Sequence, residues 1–342
     1  MKQLVFQSPG VLGWEEAEDP RPGANDAVIR PLAVARCDLD PQMAGAGLFP
    51  GPYAVGHEVC GEVVSVGAAV EQHAVGERVV VPFQVSCGAC AACRDARYAA
   101  CHTHRAPAGA AFGFGAAGGG HGGAVADRLL VPHADHLLYR LPASLDSVKA
   151  CLVPDNVLDA YRAVAPPLAR YPGADVLIVG GAGPSIGLYA VGLAGVLGAG
   201  AVRYVDSDPG RCEQAERLGA QVTHHSGAWP KRFDRALVTV ENTADADGFG
   251  CVIASTEDYG ICTPVAIHFA PTTPVPLLSM YTRGVTMVLG RADSRRHLAE
   301  VLRLVDAGRF DPLEVETGIA DFDSAAEAWL EDPGRKLVLS RS

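Results

Sequence analysis

The sequence predicts an α/β chain of two domains, a mostly antiparallel β-barrel followed by a doubly wound parallel sheet. Three observations predict it. The chain has 342 residues, 49% of them hydrophobic, which is enough for two cores, since single domains run to about 100–200 residues. Its first third is broken into short β-branched runs punctuated by Gly and Pro, the pattern of an irregular antiparallel barrel. From about residue 155, strand-like and helix-like segments alternate, as a parallel sheet requires.

In chain order, the early strands are Ala27-Val28-Ile29-Arg30-Pro31-Leu32, Gly61 to Gly67 and Glu77 to Pro82. A helix over Asp155 to Val164 leads to Pro166-Pro167. Strand Val176 to Val179, helix Leu188 to Leu197, strand Ala201 to Val205 and a last parallel strand at Thr286 to Leu289 follow. In the tail, Leu298, Val301, Leu302 and Val305 share a helix face, Gly308 is its stop, and Lys336 to Leu339 is a final strand. The first domain is expected to take residues 1–154 and 292–342, and the second residues 155–291.

Composition narrows the function. A net charge of -11 argues against nucleic acid, because phosphate backbones demand a basic patch. Val176 to Val202 carries no charge and is long enough to span a membrane, but it holds eight glycines and Pro184. Glycine costs about 1 kcal/mol per helical position, so the run reads as strand, tight turn and buried helix, not as a membrane segment. The N-terminal apolar piece Leu4-Val5-Phe6 is interrupted by Ser8-Pro9-Gly10, too early for a secretory signal. A cytoplasmic protein with reduced thiols is expected.

Four of the ten cysteines stand as Cys87, Cys90, Cys93 and Cys101, spaced CxxCxxCx7C. Four thiolates on so short a chain can close the tetrahedral shell of a structural Zn²⁺, and Gly88 with small alanines lets the loop wrap. An iron–sulfur cluster is the competing use, but the spacing matches neither ferredoxin pattern.

Cys37 and the Gly56-His57-Glu58 segment supply candidate ligands for a second metal. A catalytic zinc needs three protein ligands and one open position, so one further ligand is required. Asp155 is the choice, with Cys151 and Asp159 as rivals. Taken singly, a buried cysteine or a hydrogen-bonded turn histidine is the blander explanation; the combination with the cysteine lobe favours the metal.

Strand Val176 to Val179 runs into Gly180-Gly181-Ala182-Gly183-Pro184-Ser185-Ile186-Gly187. Glycines let a backbone approach a pyrophosphate, and the following helix N-terminus favours an anion. The loop is GxGxxxG over Gly181, Gly183 and Gly187, one residue longer than the dinucleotide fingerprint. The second strand ends in Asp206, 19 residues beyond Gly187, where a carboxylate accepts ribose hydroxyls of NAD and repels the 2′-phosphate of NADP. Arg211 would weaken that discrimination by turning toward a phosphate, and Asp206 as a mere turn residue is the alternative.

Together these motifs resemble the zinc-dependent medium-chain dehydrogenase/reductase family of alcohol, polyol, threonine and formaldehyde dehydrogenases, over nearly the whole chain. The resemblance implies a GroES-like catalytic domain, a Rossmann cofactor domain, NAD and two Zn²⁺ per chain. It matches Cys37, His57 and Asp155 to the catalytic zinc ligands, and Glu58 to a carboxylate that reaches the metal as water or substrate exchanges. Asp40 matches the carboxylate that orients the histidine ligand. An Asp as third ligand leans to the formaldehyde dehydrogenase and dismutase branch.

The implied activity is hydride transfer between an alcohol or carbonyl compound and NAD(H), with zinc polarising the substrate oxygen. The implied assembly is a homodimer or homotetramer, joined through the edges of the cofactor-domain sheets. Two positions depart from the family: Leu39 stands where relatives carry a Ser or Thr that relays the proton, and Gln42 where a His often completes the relay. Neither side chain carries a proton at neutral pH. An aldehyde dismutase that retains its NAD, and a non-redox zinc and nucleotide protein, are the alternatives. Phe83 is a candidate pocket wall, and Gly290-Arg291 a candidate neighbour of the cofactor.

Overall fold

A computed structural model describes residues 1–331 and 334–341. The chain forms two compact units. The first comprises Met1–Leu158, Ala292–Leu313 and Thr317–Ser342; the second comprises Asp159–Arg291 with Glu314–Glu316.

The first unit is built on one large, mainly antiparallel sheet. Its strands run in the order Thr317–Asp321, Lys336–Ser340, Ala27–Arg36, Glu58–Val66, Arg78–Val81, Tyr139–Arg140, and Leu129–Val131 also pairs with Ala27–Arg36. A separate three-stranded sheet holds Lys2–Ser8, Val11–Glu16 and Tyr53–Ala54. The expected irregular, mostly antiparallel domain is present, and its strands do not close into a ring among the described residues. Pairing runs out at Thr317–Asp321 on one side and at the two-residue strand Tyr139–Arg140 on the other, too short a ladder to close a ring.

Proline explains a local feature of the longest strand. Pro31 has no N–H to give to the ladder, and the register with Glu58–Val66 slips between Pro31 and Ala33. Alternate residues of the strands bury Ile29, Val34, Val59, Val63, Val79 and Val81 in one core.

The second unit is a six-stranded parallel sheet, ordered Gln221–His224, Val202–Asp206, Val176–Val179, Ala236–Glu241, Thr256–Pro264, Thr286–Met287. The first strand in sequence thus lies central and the chain winds outward both ways, which puts a switch point at the carboxyl ends of Val176–Val179 and Ala236–Glu241. The expected last strand to Leu289 ends at Met287.

Two boundaries move. Instead of a helix from Asp155 there is a π-helical turn, Val153–Val157, and then a helix, Leu158–Arg170, that continues through Pro166 and Pro167. The turn packs on the Glu58–Val66 strand with Val153, Pro154 and Val157 buried, so residues 155–158 stay with the first unit.

Candidate metal centres and cofactor site

The four-cysteine lobe is a local structure. The Sγ atoms of Cys87, Cys90, Cys93 and Cys101 all lie within 4.8 Å of one another. Cys90 Sγ is 3.5 Å from Cys93 Sγ and 4.0 Å from Cys101 Sγ. Zinc–sulfur bonds of about 2.3 Å in a tetrahedron set sulfurs about 3.8 Å apart, so the spacing suits Zn²⁺.

Donors aimed at the sulfurs favour thiolates. The His102 N–H donates to Cys90 Sγ at 3.3 Å, and the Thr103 hydroxyl to Cys87 Sγ at 3.1 Å. The His102 N–H, with that of Cys93, brings the Cys90 thiol down to about 5, while burial pushes Cys93 up to about 12. One low and one high thiol is what four crowded sulfurs give before a cation neutralises them.

The second cluster is assembled from distant segments. Cys37 follows the Ala27–Arg36 strand, His57 and Glu58 stand at the start of Glu58–Val66, and Asp155 lies on the π turn. Their ligand atoms also fall within 4.8 Å of one another. His57 Nε2 is 3.2 Å from Asp155 Oδ2, and His57 Nδ1 is 3.8 Å from Asp40 Oδ1. Asp40 in turn accepts the Cys37 N–H at 2.8 Å. The imidazole thus has one nitrogen toward the cluster and the other toward a carboxylate, the usual arrangement of a metal-bound histidine.

Charge makes the same point. Burial alone would lower the His57 pKa, but Asp40, Asp155 and Glu58 overcome it and raise it to about 9. The buried Cys37 thiol is pushed well up by desolvation and then by Asp155, Glu58 and Asp40. A thiol and three carboxylates collected in one buried place call for a cation, and the mixed S, N and O donors suit zinc.

Two residues the sequence did not mark belong here. Lys336 Nζ donates to Glu58 Oε1 at 2.8 Å and Oε2 at 3.0 Å, and reaches Asn156 Oδ1 at 3.4 Å. Burial pushes the Glu58 carboxyl up to about 8, and Lys336 opposes that rise. Removing one partner of a buried pair of this kind costs about 3–5 kcal/mol.

The rival ligands are placed elsewhere. The Cys151 thiol donates to the Val148 carbonyl, and Asp159 pairs with Arg162 at 2.6 Å. Phe83 is buried with its ring 5.5 Å from that of His57, beside Phe114 at 5.1 Å from the same ring. Gln42 is exposed, and Leu39 packs against the hydrophobic core.

In the second unit the glycine loop lies at the switch point, tied to the neighbouring strand by Ala182 N–H donating to the Asn242 carbonyl at 2.7 Å. Gly181 has φ +135, a region that favours glycine, Gly183 is buried, and Gly187 opens the helix Ile186–Val196 against the Tyr204 ring. Gly180 is the most constrained: a Cβ there would collide with the Asp206 carboxylate and the Tyr204 hydroxyl.

Asp206 is more engaged than the sequence suggests. Its Oδ2 accepts from Tyr204 OH at 2.6 Å and Arg211 Nε at 2.8 Å; its Oδ1 accepts from Arg211 Nη2 at 2.8 Å and the Asp208 N–H at 2.9 Å. Burial would raise its pKa, but Arg211 and Tyr204 hold it below the usual carboxylate range. Four donors on two oxygens match the lone pairs available.

Comparison with known proteins agrees with both units. Residues 23–143 match the alcohol dehydrogenase GroES-like domain. A glutathione-independent formaldehyde dehydrogenase of Pseudomonas aeruginosa is 32% identical over 262 residues, 72% of this chain; the chain spans 65% of that relative's length. A zinc-type alcohol dehydrogenase-like protein of Bacillus subtilis is 29% identical over 96% of both chains. The alcohol dehydrogenase TADH from Thermus sp. ATN1 superposes with a TM-score of 0.88, at 27% identity, over 100% of each chain. The chain therefore belongs to the zinc-dependent medium-chain alcohol dehydrogenase family.

Proposed function

We propose that this protein transfers hydride between a small alcohol or its carbonyl partner and NAD(H). The observation that carries the reading is the convergence of Cys37, His57, Glu58 and Asp155 within 4.8 Å, in a chain that also has a glycine loop at a parallel-sheet switch point. Cys37, His57 and Asp155 would hold a zinc ion, which as a Lewis acid polarises a substrate oxygen and lowers an alcohol's pKa. Cys87, Cys90, Cys93 and Cys101 would hold a second, structural one.

The chain's own residues have defined parts. Asp40, 3.8 Å from His57 Nδ1, would orient that ring, Phe83 and Phe114 pack against it, and Asp155 comes from the turn that packs on the Glu58–Val66 strand. Gly181, Gly183 and Gly187 would face the dinucleotide pyrophosphate, and Asp206 with Arg211 its adenosine ribose, with NAD as the cofactor. With Leu39 and Gln42 in the relay positions, neither side chain would carry the alcohol proton outward, and water beside Glu58 would have to take it.

A second reading is favoured by Asp155 and by the similarity to a formaldehyde dehydrogenase: an aldehyde dismutase that keeps its NAD through the cycle. Purified protein screened with alcohols and aldehydes, with and without added NAD, tests both. NAD-dependent alcohol oxidation supports the first; aldehyde turnover without added NAD, with cofactor recovered from denatured protein, supports the second. Inactivity in every combination argues against both.

Thiolates at both clusters would need a reducing compartment, and we place the protein in the cytoplasm on that ground. We also assign the active form as a homo-oligomer. The sheet edge Thr286–Met287 is flanked by Leu277, Leu278, Tyr281 and Leu289, each 68–85% exposed, and an open edge with apolar neighbours is a template for pairing with a second copy.

A further inference from the structure

Cys37, His57, Glu58 and Asp155 offer four donor atoms within 4.8 Å of one another. Four such donors would fill a tetrahedral zinc, as in a structural site, whereas a zinc that serves chemistry keeps one position open. One donor has to be held back.

Glu58 is the donor with a competing partner. Lys336 Nζ donates to both of its carboxylate oxygens, at 2.8 and 3.0 Å, and both side chains are 0% exposed. The same ammonium reaches Asn156, the neighbour of Asp155 on the π turn. It therefore ties the strand beginning at Glu58 to the segment that supplies Asp155. We propose that Lys336 is a positioning residue that keeps Glu58 out of the inner shell of the metal, so that three ligands and one exchangeable position remain.

The proposal rests on the reading that this cluster holds zinc. Its physical basis is a competition. To ligate the metal, Glu58 gives up charge-assisted hydrogen bonds made without water, which are the strong ones. Without the ammonium, the metal becomes the nearest counter-charge, and a buried unpaired carboxylate is costly enough to turn toward it.

Cobalt-substituted full-length protein tests this, because the visible absorption of Co²⁺ reports its ligand shell and imidazole can serve as the incoming ligand. The four-cysteine site contributes a constant background. In the wild type, imidazole is expected to shift the spectrum. In Lys336→Met, two metal ions per chain should remain, the spectrum should ignore imidazole at a 100-fold higher concentration, and turnover should fall at least 50-fold. Lys336→Met/Glu58→Gln should regain the response, since a neutral amide is a poor ligand and needs no counter-charge.

An imidazole response in Lys336→Met equal to that of the wild type overturns the proposal, as does a double variant as silent as the single one. Should Lys336→Met fail to fold, Lys336→Arg carries the test: its guanidinium keeps Glu58 paired and must leave the response intact, and a silent Lys336→Arg overturns the proposal. A wild type that takes up only one metal ion per chain overturns the zinc reading itself, and the proposal with it.

Discussion

His57 Nε2 lies 3.2 Å from Asp155 Oδ2, although 98 residues separate them in the chain. The two groups come together beside Cys37, Glu58 and Asp40, with His57 buried and Asp155 half-buried, and the proposed zinc would share them. Asp155→Ala and Cys37→Ala should each reduce zinc from two ions per chain to one, with kcat/KM falling by about 10²-fold or more, because ligand loss removes transition-state stabilisation. Elemental analysis beside circular dichroism checks this. Two zinc ions retained in both variants would remove these residues from the site.

Metal uptake should release protons. At pH 7 the metal-free cluster holds protons on His57, with a pKa of about 9, and on the raised Cys37 thiol, while Glu58 is paired with the Lys336 ammonium. Zinc needs His57 and Cys37 deprotonated. Affinity for the second zinc should therefore rise with pH from 6 to about 9, and calorimetry in buffers of different ionisation enthalpy should show more than one proton released per ion at pH 7. No dependence on buffer would mean that the groups are already deprotonated.

Cofactor preference should turn on Asp206. Its carboxylate is neutralised by a bidentate Arg211, so Asp206→Ser removes one negative charge and leaves the guanidinium only the looser contact with Asp208 at 3.9 Å, free to turn toward a 2′-phosphate. The ratio of kcat/KM for NADP to that for NAD should increase at least 10-fold, measured with one alcohol substrate. An unchanged ratio would place ribose recognition elsewhere.

The pair also carries a stability term, and its sign is fixed. The Asp206 pKa is depressed in the folded protein, so its contribution is present above the ordinary carboxylate pKa and is lost as pH falls through the lower folded value. Arg211→Met should lower stability by about 3–5 kcal/mol at pH 7, the usual cost of stranding a buried partner, and the deficit should shrink below pH 4. Denaturant unfolding at pH 7 and pH 3.5 measures both.

Self-association should follow the apolar sheet edge. Leu278→Lys/Tyr281→Glu alters two residues that are 77% and 85% exposed. Folding should be unaffected while the hydrodynamic mass falls to that of a 35.6 kDa monomer. Light scattering after size exclusion decides, and an unchanged mass would move the contact to another face.

How far the sequence could be read depended on how local each feature is. The cysteine lobe was legible because its four ligands span 15 residues and its spacing restricts its chemistry. The glycine loop and Asp206 were legible as one strand-turn-helix-strand unit, and the parallel sheet followed from the alternation around them. Cys37, His57 and Asp155 were offered as ligands from residue type with Cys151 and Asp159 as rivals, and the resemblance to a family then supported that choice, since nothing in their spacing states that they meet.

Lys336 was invisible for a different reason. A lysine opening an apolar strand reads as a solvated edge, and its partner Glu58 stands 278 residues earlier. The saturation of Asp206 was hidden too, because whether an arginine five residues on turns inward is decided by rotamer and packing. The antiparallel character of the first domain was legible, but how far its strands close was not, because sequence patterns define strand lengths poorly.

The long reach from Glu58 to Lys336 sets a schedule for the newborn chain. A ribosome makes Cys37, His57 and Glu58 early, then all of the second unit, and only afterwards the strand Lys336–Ser340. Until that strand docks, Glu58 has no ammonium to face, and the edge strand Thr317–Asp321 has nothing to join it to the rest of the large sheet. The second unit, made from nearly contiguous sequence, can collapse during synthesis, whereas the first must wait for a closure of high contact order. Zinc delivered too soon would meet a half-built pocket with a free carboxylate, so if the second cluster holds zinc as proposed, its loading would belong after translation.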